Sequence, residues 1–299
     1  MNSQLPPKRV LLVVNRQSRH GQEHLAEAIR QLKQLGFIVL EESTDNPLNL
    51  PDIIRHYHHQ VDVVIIGGGD GTLNAAIDGL VDTQLPLGIL PLGTANDLAR
   101  TLQIPMAIPQ ACQVIATGQY HKIDLGLVNN HYFFNVASCG LSVQITQCLT
   151  KDAKRRWGIL AYLATALMVM WQARPFRAAI RINGETIRIK TIQIAIGNGR
   201  HYGGGMTVAH DATIDDQKLD LYSLEMRHWW HILLILPALW RGRHKDLPGV
   251  RTLQGTEFEI YTRKPRSINT DGEITTSTPA TFRVIPQAIS VLVPRNGEF

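Results

Sequence analysis

Asp70 sits inside GGGDGT, residues 67–72, with glycine on both sides. A carboxylate can hold a divalent cation or accept a proton. Glycines let the main chain approach a ligand closely and take left-handed torsions. The preceding run, VDVVII (61–66), reads as a buried strand, and Leu73–Leu80 reads as a helix. Strand, free turn and helix start together form a phosphate cradle, because N–H groups are exposed at the helix N-terminus. The stretch is not GxxxxGK[ST]. It is not GxGxxG either, since counting from Gly67 or Gly69 the sixth position is Thr72 or Asn74. As a plain turn, it would need only one N-cap, Asp70 or Thr72. Three consecutive glycines exceed that need, which favours a ligand.

Two further stretches carry reactive groups. LGILPLGTANDLART (87–101) offers Thr94, Asn96 and Asp97 at another strand-to-helix turn. Thr94 and Asp97 have capping-box spacing, so taken alone the stretch is a capped helix over Thr94–Leu102. NTDGEI (269–274) places Asp271 and Glu273 around a glycine, and taken alone it is a hairpin turn. The acidic run AHDATIDDQKLD (209–220) reads equally as a turn before a strand or as a set of oxygen ligands. HYHH (56–59) lacks an adjacent carboxylate or cysteine and reads as an exposed helix face.

The elements that must position these groups alternate in the first part of the chain. Strands are predicted at Arg9–Val14, Phe37–Leu40, Val61–Ile66 and Leu87–Leu90, with helices at 23–35, 49–59, Leu73–Leu80 and Thr94–Leu102. That order means βαβ units and a parallel sheet. Beyond about residue 120 the segments 121–129, 131–137, 178–183, 185–196, 217–224, 256–262, 281–285 and 288–293 are short and β-rich. Helices at about 155–172 and 228–241 interrupt them. The expected architecture is an α/β nucleotide-binding domain, 1–126, followed by a β-rich sandwich, 127–299, with a ligand cleft between the two.

Composition excludes several classes. With 44% apolar and 18% charged residues, the 299-residue chain is globular rather than disordered. A net charge of +5 suits an anionic partner such as nucleotide phosphate or an anionic membrane surface. It is too weak for nucleic acid, and no nucleic-acid module is visible. Three cysteines without metal spacing fit a reducing cytoplasm better than a disulfide scaffold. The uncharged run 157–171 falls short of the roughly 20 residues a spanning helix needs.

The strings GGGDGTLN, LPLGTANDLAR, IGNGRHYGGGM and NTDGE, in this order, resemble the diacylglycerol kinase catalytic-domain family. The likeness is strongest to its soluble bacterial lipid kinases, which are related to sphingosine kinases and, more distantly, to NAD kinases. It implies transfer of the γ-phosphoryl group of ATP to a lipid hydroxyl, with Mg²⁺, as part of lipid metabolism and phospholipid biosynthesis. Carried over residue by residue, it places Thr44, Gly68, Gly69, Asp70, Gly71, Thr72, Asn74, Thr94, Asn96 and Asp97 in the nucleotide site. Asp70 and Asp97 handle the phosphates and their Mg²⁺. Glu273 matches the family's general base, facing Asp70 across the cleft. A structural Mg²⁺ would be held by Asp216 and by the carbonyls of Thr213 and Lys218. Two positions depart from the family: Arg16 where proline is usual, and Gln217 where glycine follows the aspartate.

A lipid kinase acts at a bilayer. RHWWHILLILPALWRGRHK (227–245) suits an interfacial helix as well as a core helix. The expected setting is cytoplasmic with peripheral contact at the inner membrane face. Two rivals stand beside this reading. One is a related kinase with a soluble acceptor, NAD-like or a sugar phosphate. The other is a non-catalytic protein that binds nucleotide or lipid.

Overall fold

A computed structural model describes residues 8–15, 21–44, 46–148, 174–199, 201–202, 206–207, 213–225 and 249–295. The chain divides into two compact units. One is Met1–Asp124 together with Pro286–Phe299, and the other is Leu125–Ile285.

The first unit is built on a parallel sheet. Its strands are β1 (Arg9–Asn15), β2 (Ile38–Thr44), β3 (Val63–Gly68) and β4 (Leu87–Pro91). Val10–Val14 and all of β3 are buried, as continuous β-branched runs in a sheet covered on both faces should be. The order is β2-β1-β3-β4, followed by the second half of β18 (Ala280–Val293), where Val291 pairs parallel with Leu87. From β1 the chain steps one way to β2, then crosses to the other side for β3 and β4. The strand order therefore reverses between β1 and β3, and such reversals are where open α/β sheets hold ligands, at the carboxyl ends of the strands. Helix α1 (Gly21–Gln34) packs on α6 (Ile108–Thr117), and α2 (Leu50–Tyr57) packs on α4 (Ile77–Thr83). Two short helices, α3 (Asp70–Ala75) and α5 (Asp97–Thr101), follow the turns after β3 and β4.

The second unit is an antiparallel sandwich. β5 (Gln119–Val128) enters it, followed by β6 (His131–Phe133), β7 (Val136–Gly140) and α7 (Leu141–Cys148). Next come β8 (Phe176–Ile182), β9 (Glu185–Thr191), β10 (Gln193–Gly197) and a small hairpin of β11 (His201–Tyr202) and β12 (Met206–Thr207). The last five are β13 (Leu219–Leu224), β14 (Val250–Gly255), β15 (Glu257–Thr262), β16 (Ser267–Thr270) and β17 (Glu273–Ser277). One layer runs β14-β13-β10-β7-β16-β17, and the other contains β15, β8 and β9 beside the first half of β18. Phe133, Phe258 and Phe282 from one layer interdigitate with Cys139, Ile194, Ile196 and Ile268 from the other. Along β8, Phe176, Ala178 and Ile180 point inward while Arg177 and Arg181 are exposed, the period-2 pattern of a half-buried strand.

Four expectations are corrected. The division at residue 126 puts the final strand wholly in the second domain, whereas Pro286–Phe299 groups with the first unit. Gln287 takes a left-handed φ of 50°, and its N–H is held at 2.7 Å by the buried Asp124 carboxylate. The expected strand 185–196 breaks into β9 and β10, because the buried Thr191 hydroxyl donates to Gln193 O at 2.8 Å and turns the corner. The expected helix Leu73–Leu80 is two helices that meet at Ala76. The helix expected from Thr94 begins only at Asp97, for a reason given below. The helices expected at 155–172 and 228–241 lie outside the described residues. Among the described residues, no helix is long and apolar enough to cross a membrane.

Candidate active site

The parallel register lines up the ends of four strands. Asn15 is opposite Thr44, Val14 is opposite Gly67, and Gly68 is opposite Pro91. Thr44, the GGGDGT turn and the LPLGTAN turn therefore all sit on the carboxyl edge of one sheet, on either side of the strand-order reversal.

Each turn is built by specific contacts. The buried Thr44 hydroxyl donates to Asn46 O at 2.6 Å and accepts from Asn46 N at 3.1 Å, which closes the turn after β2. After β3, the Gly69 carbonyl accepts from Thr72 N and Leu73 N and starts α3. Gly68 has to be small, because a Cβ there would lie 2.6 Å from the Cβ of Thr72. After β4, Asn96 adopts φ 52°, a region asparagine enters more easily than most residues. Its Oδ1 accepts from Gly93 N at 3.0 Å, and its Nδ2 donates to Gly93 O at 3.0 Å. This clamp explains the late start of α5. Thr94 is left exposed on the turn instead of capping a helix.

The two glycine turns touch. A Cβ on Gly93 would lie 2.4 Å from Gly69 Cα and 2.7 Å from Asn96 Oδ1. Both obstacles are fixed, one being main chain and the other a clamped, buried amide. Gly93 is a position of close approach that the sequence reading missed, although a glycine before the turn was a visible signal of it. Gly93→Ala is expected to force the turns apart and to weaken ATP binding about five- to a hundredfold, the scale of one overpacked contact of about 1–3 kcal/mol. Gly69→Ala, whose Cβ would meet Gly93 Cα at 3.1 Å, is expected to do less. Titration calorimetry with a non-hydrolysable ATP analogue would rank the two variants.

Asp70 bridges the turns. Its Oδ1 accepts from Leu98 N at 3.2 Å, at the start of α5. Burial pushes its carboxyl above the usual carboxylate range. The Leu98 N–H pulls it back, the neighbouring Asp97 charge pushes it up again, and the N–H groups of Asp70 and Asp97 oppose that rise. Asp97 itself is buried. Asn74 lies four residues beyond Asp70 on α3 and so shares its face. Its Oδ1 is buried with no hydrogen-bond partner. A half-buried carboxylate, a buried one and an orphaned acceptor at a strand edge fit a cation–phosphate complex. No cluster of three or more His, Cys, Asp or Glu able to hold a metal occurs among the described residues. Any Mg²⁺ at Asp70 and Asp97 would take its remaining oxygens from phosphate and water. Beside the second turn, a cavity of 420 Å³ is lined by Pro91, Gly93, Thr94, Asn96, Arg100 and Met106, among others.

The second unit holds the other candidates. Asp271 (φ 47°) and Gly272 (φ 101°) form a two-residue turn between β16 and β17, and Thr270 is opposite Glu273. Glu273, the first residue of the edge strand β17, is exposed. Asp271 is turned inward. Its Oδ2 accepts from Phe134 N at 2.7 Å, and its Oδ1 accepts from Asn135 N at 3.0 Å and Val136 N at 2.9 Å. Nothing in the sequence FFNV marks this nest of three consecutive N–H groups. In the acidic loop, Asp216 Oδ1 accepts from Lys218 N at 3.0 Å around Gln217, whose φ is 59°. The left-handed turn is kept without glycine, at a cost of about 1 kcal/mol. Thr213 is described at the start of this loop, while residues 208–212, like Arg16 and Arg200, lie outside the described residues.

Residues 9–128 match the diacylglycerol kinase catalytic domain, and residues 135–293 match the YegS C-terminal NAD kinase beta sandwich-like domain. The chain belongs to this lipid kinase family. A probable lipid kinase YegS-like protein of Enterobacter sp. (strain 638) is 32% identical over 297 residues, 95% of each chain. A diacylglycerol kinase of Bacillus subtilis (strain 168) is 26% identical over 277 residues, 91% of each. The fold is shared with a crystal structure described as a putative diacylglycerol kinase from Bacillus anthracis str. Sterne, with TM-score 0.84, 22% identity and 98% of each chain covered. Membership makes the chain a kinase, and kinases of this family use ATP.

Proposed function

We propose that this chain is an ATP- and Mg²⁺-dependent kinase that phosphorylates the hydroxyl of a neutral lipid such as diacylglycerol. The observation that carries the reading is the paired glycine turns in contact after β3 and β4, beside the strand-order reversal, with Asp70 partly buried between them. This is a main-chain cradle with a carboxylate at its centre, the part phosphoryl transfer needs most, because that reaction is mainly positioning and charge stabilisation. Support for a lipid acceptor comes from the relatives, which are described as lipid and diacylglycerol kinases.

In this reading the main chain around Gly68–Thr72 and the Thr94 hydroxyl hold the phosphates, and Thr44 and Asn96 fix the turns beside them. Asp70 and Asp97 would hold the magnesium ion, which neutralises the charge on the phosphate oxygens when bound. Glu273 accepts the proton of the lipid hydroxyl. The hydroxyl oxygen bonds to the γ-phosphorus, the bond from that phosphorus to the β,γ-bridging oxygen breaks, and ADP leaves with the bonding pair. The product is a phosphomonoester lipid, which a pathway of phospholipid synthesis would consume. Thr213, Asp216 and Lys218 would hold a second, structural ion. The protein would work in the cytoplasm and meet the bilayer peripherally.

The test is transfer of γ-³²P from ATP into mixed micelles carrying a panel of lipid alcohols, with and without Mg²⁺. Label in one lipid, dependent on Mg²⁺, is expected. Label only in a soluble acceptor without micelles would turn the reading to that acceptor. ATP binding with no transfer at all would make the chain a binding protein.

A further inference from the structure

We infer that Asp271 is a positioning residue that fixes where the Glu273 carboxylate stands, through the nest of main-chain N–H groups at Phe134–Val136. The inference rests on the assignment of Glu273 as base. A left-handed two-residue turn at the end of an edge hairpin is a mobile place for a catalytic group, because β17 has a neighbour on one side only. Here the turn is tied at several points. Asp271 accepts from three consecutive N–H groups and returns its own N–H to Val136 O at 3.0 Å. The Gly272 N–H is held by Asn269 Oδ1 at 2.9 Å. Thr270 on β16 reaches the Thr275 hydroxyl on β17 at 3.0 Å.

The nest also joins two motifs that are far apart in the chain. Phe134 O accepts from Asn198 Nδ2 at 2.9 Å, and Asn135 O accepts from Asn198 N at 2.8 Å. Asn198 belongs to the GNG stretch that follows β10. Two of the three peptide groups that donate to Asp271 therefore accept from Asn198 on their other side, and hydrogen bonds in such chains strengthen one another. A carboxylate is the side chain that satisfies three donors together. The amide of asparagine offers one acceptor oxygen and turns two donors of its own toward the nest.

The experiment is a double-mutant cycle on the full chain, read as kcat in the labelled-lipid assay with single-turnover sensitivity. Asp271→Asn is expected to lower kcat about tenfold with KM for ATP unchanged, a partial loss of the general-base contribution. In a Glu273→Gln background the same change is expected to cost less than twofold, because the group it positions is gone. Gly272→Ala loosens the same turn with the nest intact, and it should show the same non-additivity even if Asp271→Asn folds poorly. An equal loss in both backgrounds would overturn the inference, since Asp271 would then act on its own or only through stability. Full activity of Glu273→Gln alone would overturn the base assignment, whatever Asp271 does.

Discussion

An Asp70→Asn protein is expected to lose phosphoryl transfer at least about a hundredfold, the scale of removing one preorganised charge from an active site, and to melt no lower than the parent. The two effects share a cause. Asp70 is held partly out of water and next to Asp97, so its charged form is disfavoured in the folded chain. A carboxyl whose folded pKa lies above its unfolded value binds its proton more tightly when folded. Stability therefore falls as pH rises from the ordinary carboxylate range through the raised value, and above that window the penalty is complete. Asparagine removes the charge and keeps an oxygen that can accept from Leu98 N, so the link to α5 survives. Thermal melts across that window would show the slope in the parent and a flatter profile in the variant. The catalytic loss follows because Asp97, the neighbouring carboxylate, would be left to hold the ion without its partner. Mg²⁺·ATP should raise the melting temperature of the parent and do so much less for the variant. A variant that transfers phosphate normally would remove Asp70 from the mechanism.

Glu273→Gln is the second large effect. Loss of a positioned general base typically lowers kcat by about 10²- to 10⁴-fold, and glutamine keeps the shape of the side chain without its proton affinity. The change falls on an exposed residue at the start of an edge strand, so no packing is lost and the melting temperature should stay where it is. ATP affinity should also be unchanged, because every residue assigned to the nucleotide belongs to the first unit. Glu273→Asp should recover part of the rate if reach is the only deficit. A Glu273→Gln variant with weakened ATP binding and normal kcat would give that carboxylate a different role.

Legibility in the sequence followed the range of the forces involved. The parallel strands were readable because their residues are buried on both faces and spell continuous β-branched runs. The GGGDGT turn was readable because glycine has a conformational meaning of its own. Corners such as Thr191 and the late start at Asp97 were not readable, since each is set by one side chain bonding across a few residues. The Asn96 clamp on Gly93 and the Asp271 nest were further out of reach. Both end on main-chain N–H groups, which every residue except proline carries, so the sequence shows the side chain but not the partner it holds. Motif resemblance supplied Glu273, but it did not supply the contacts that hold it.

The return of Pro286–Phe299 to the first unit has a consequence for biosynthesis. The second unit is, in chain terms, an insertion into the first, between Asp124 in β5 and Pro286 in β18. As the chain leaves the ribosome, β4 emerges with one edge bare, and the segment that pairs with it, around Val291, is made only after the whole of the second unit. The sandwich, whose residues are contiguous in the chain, is free to fold first. β4 therefore gains its second neighbour only after the second unit has been made, so a chain cut off before Pro286 should lack that strand of the parallel sheet.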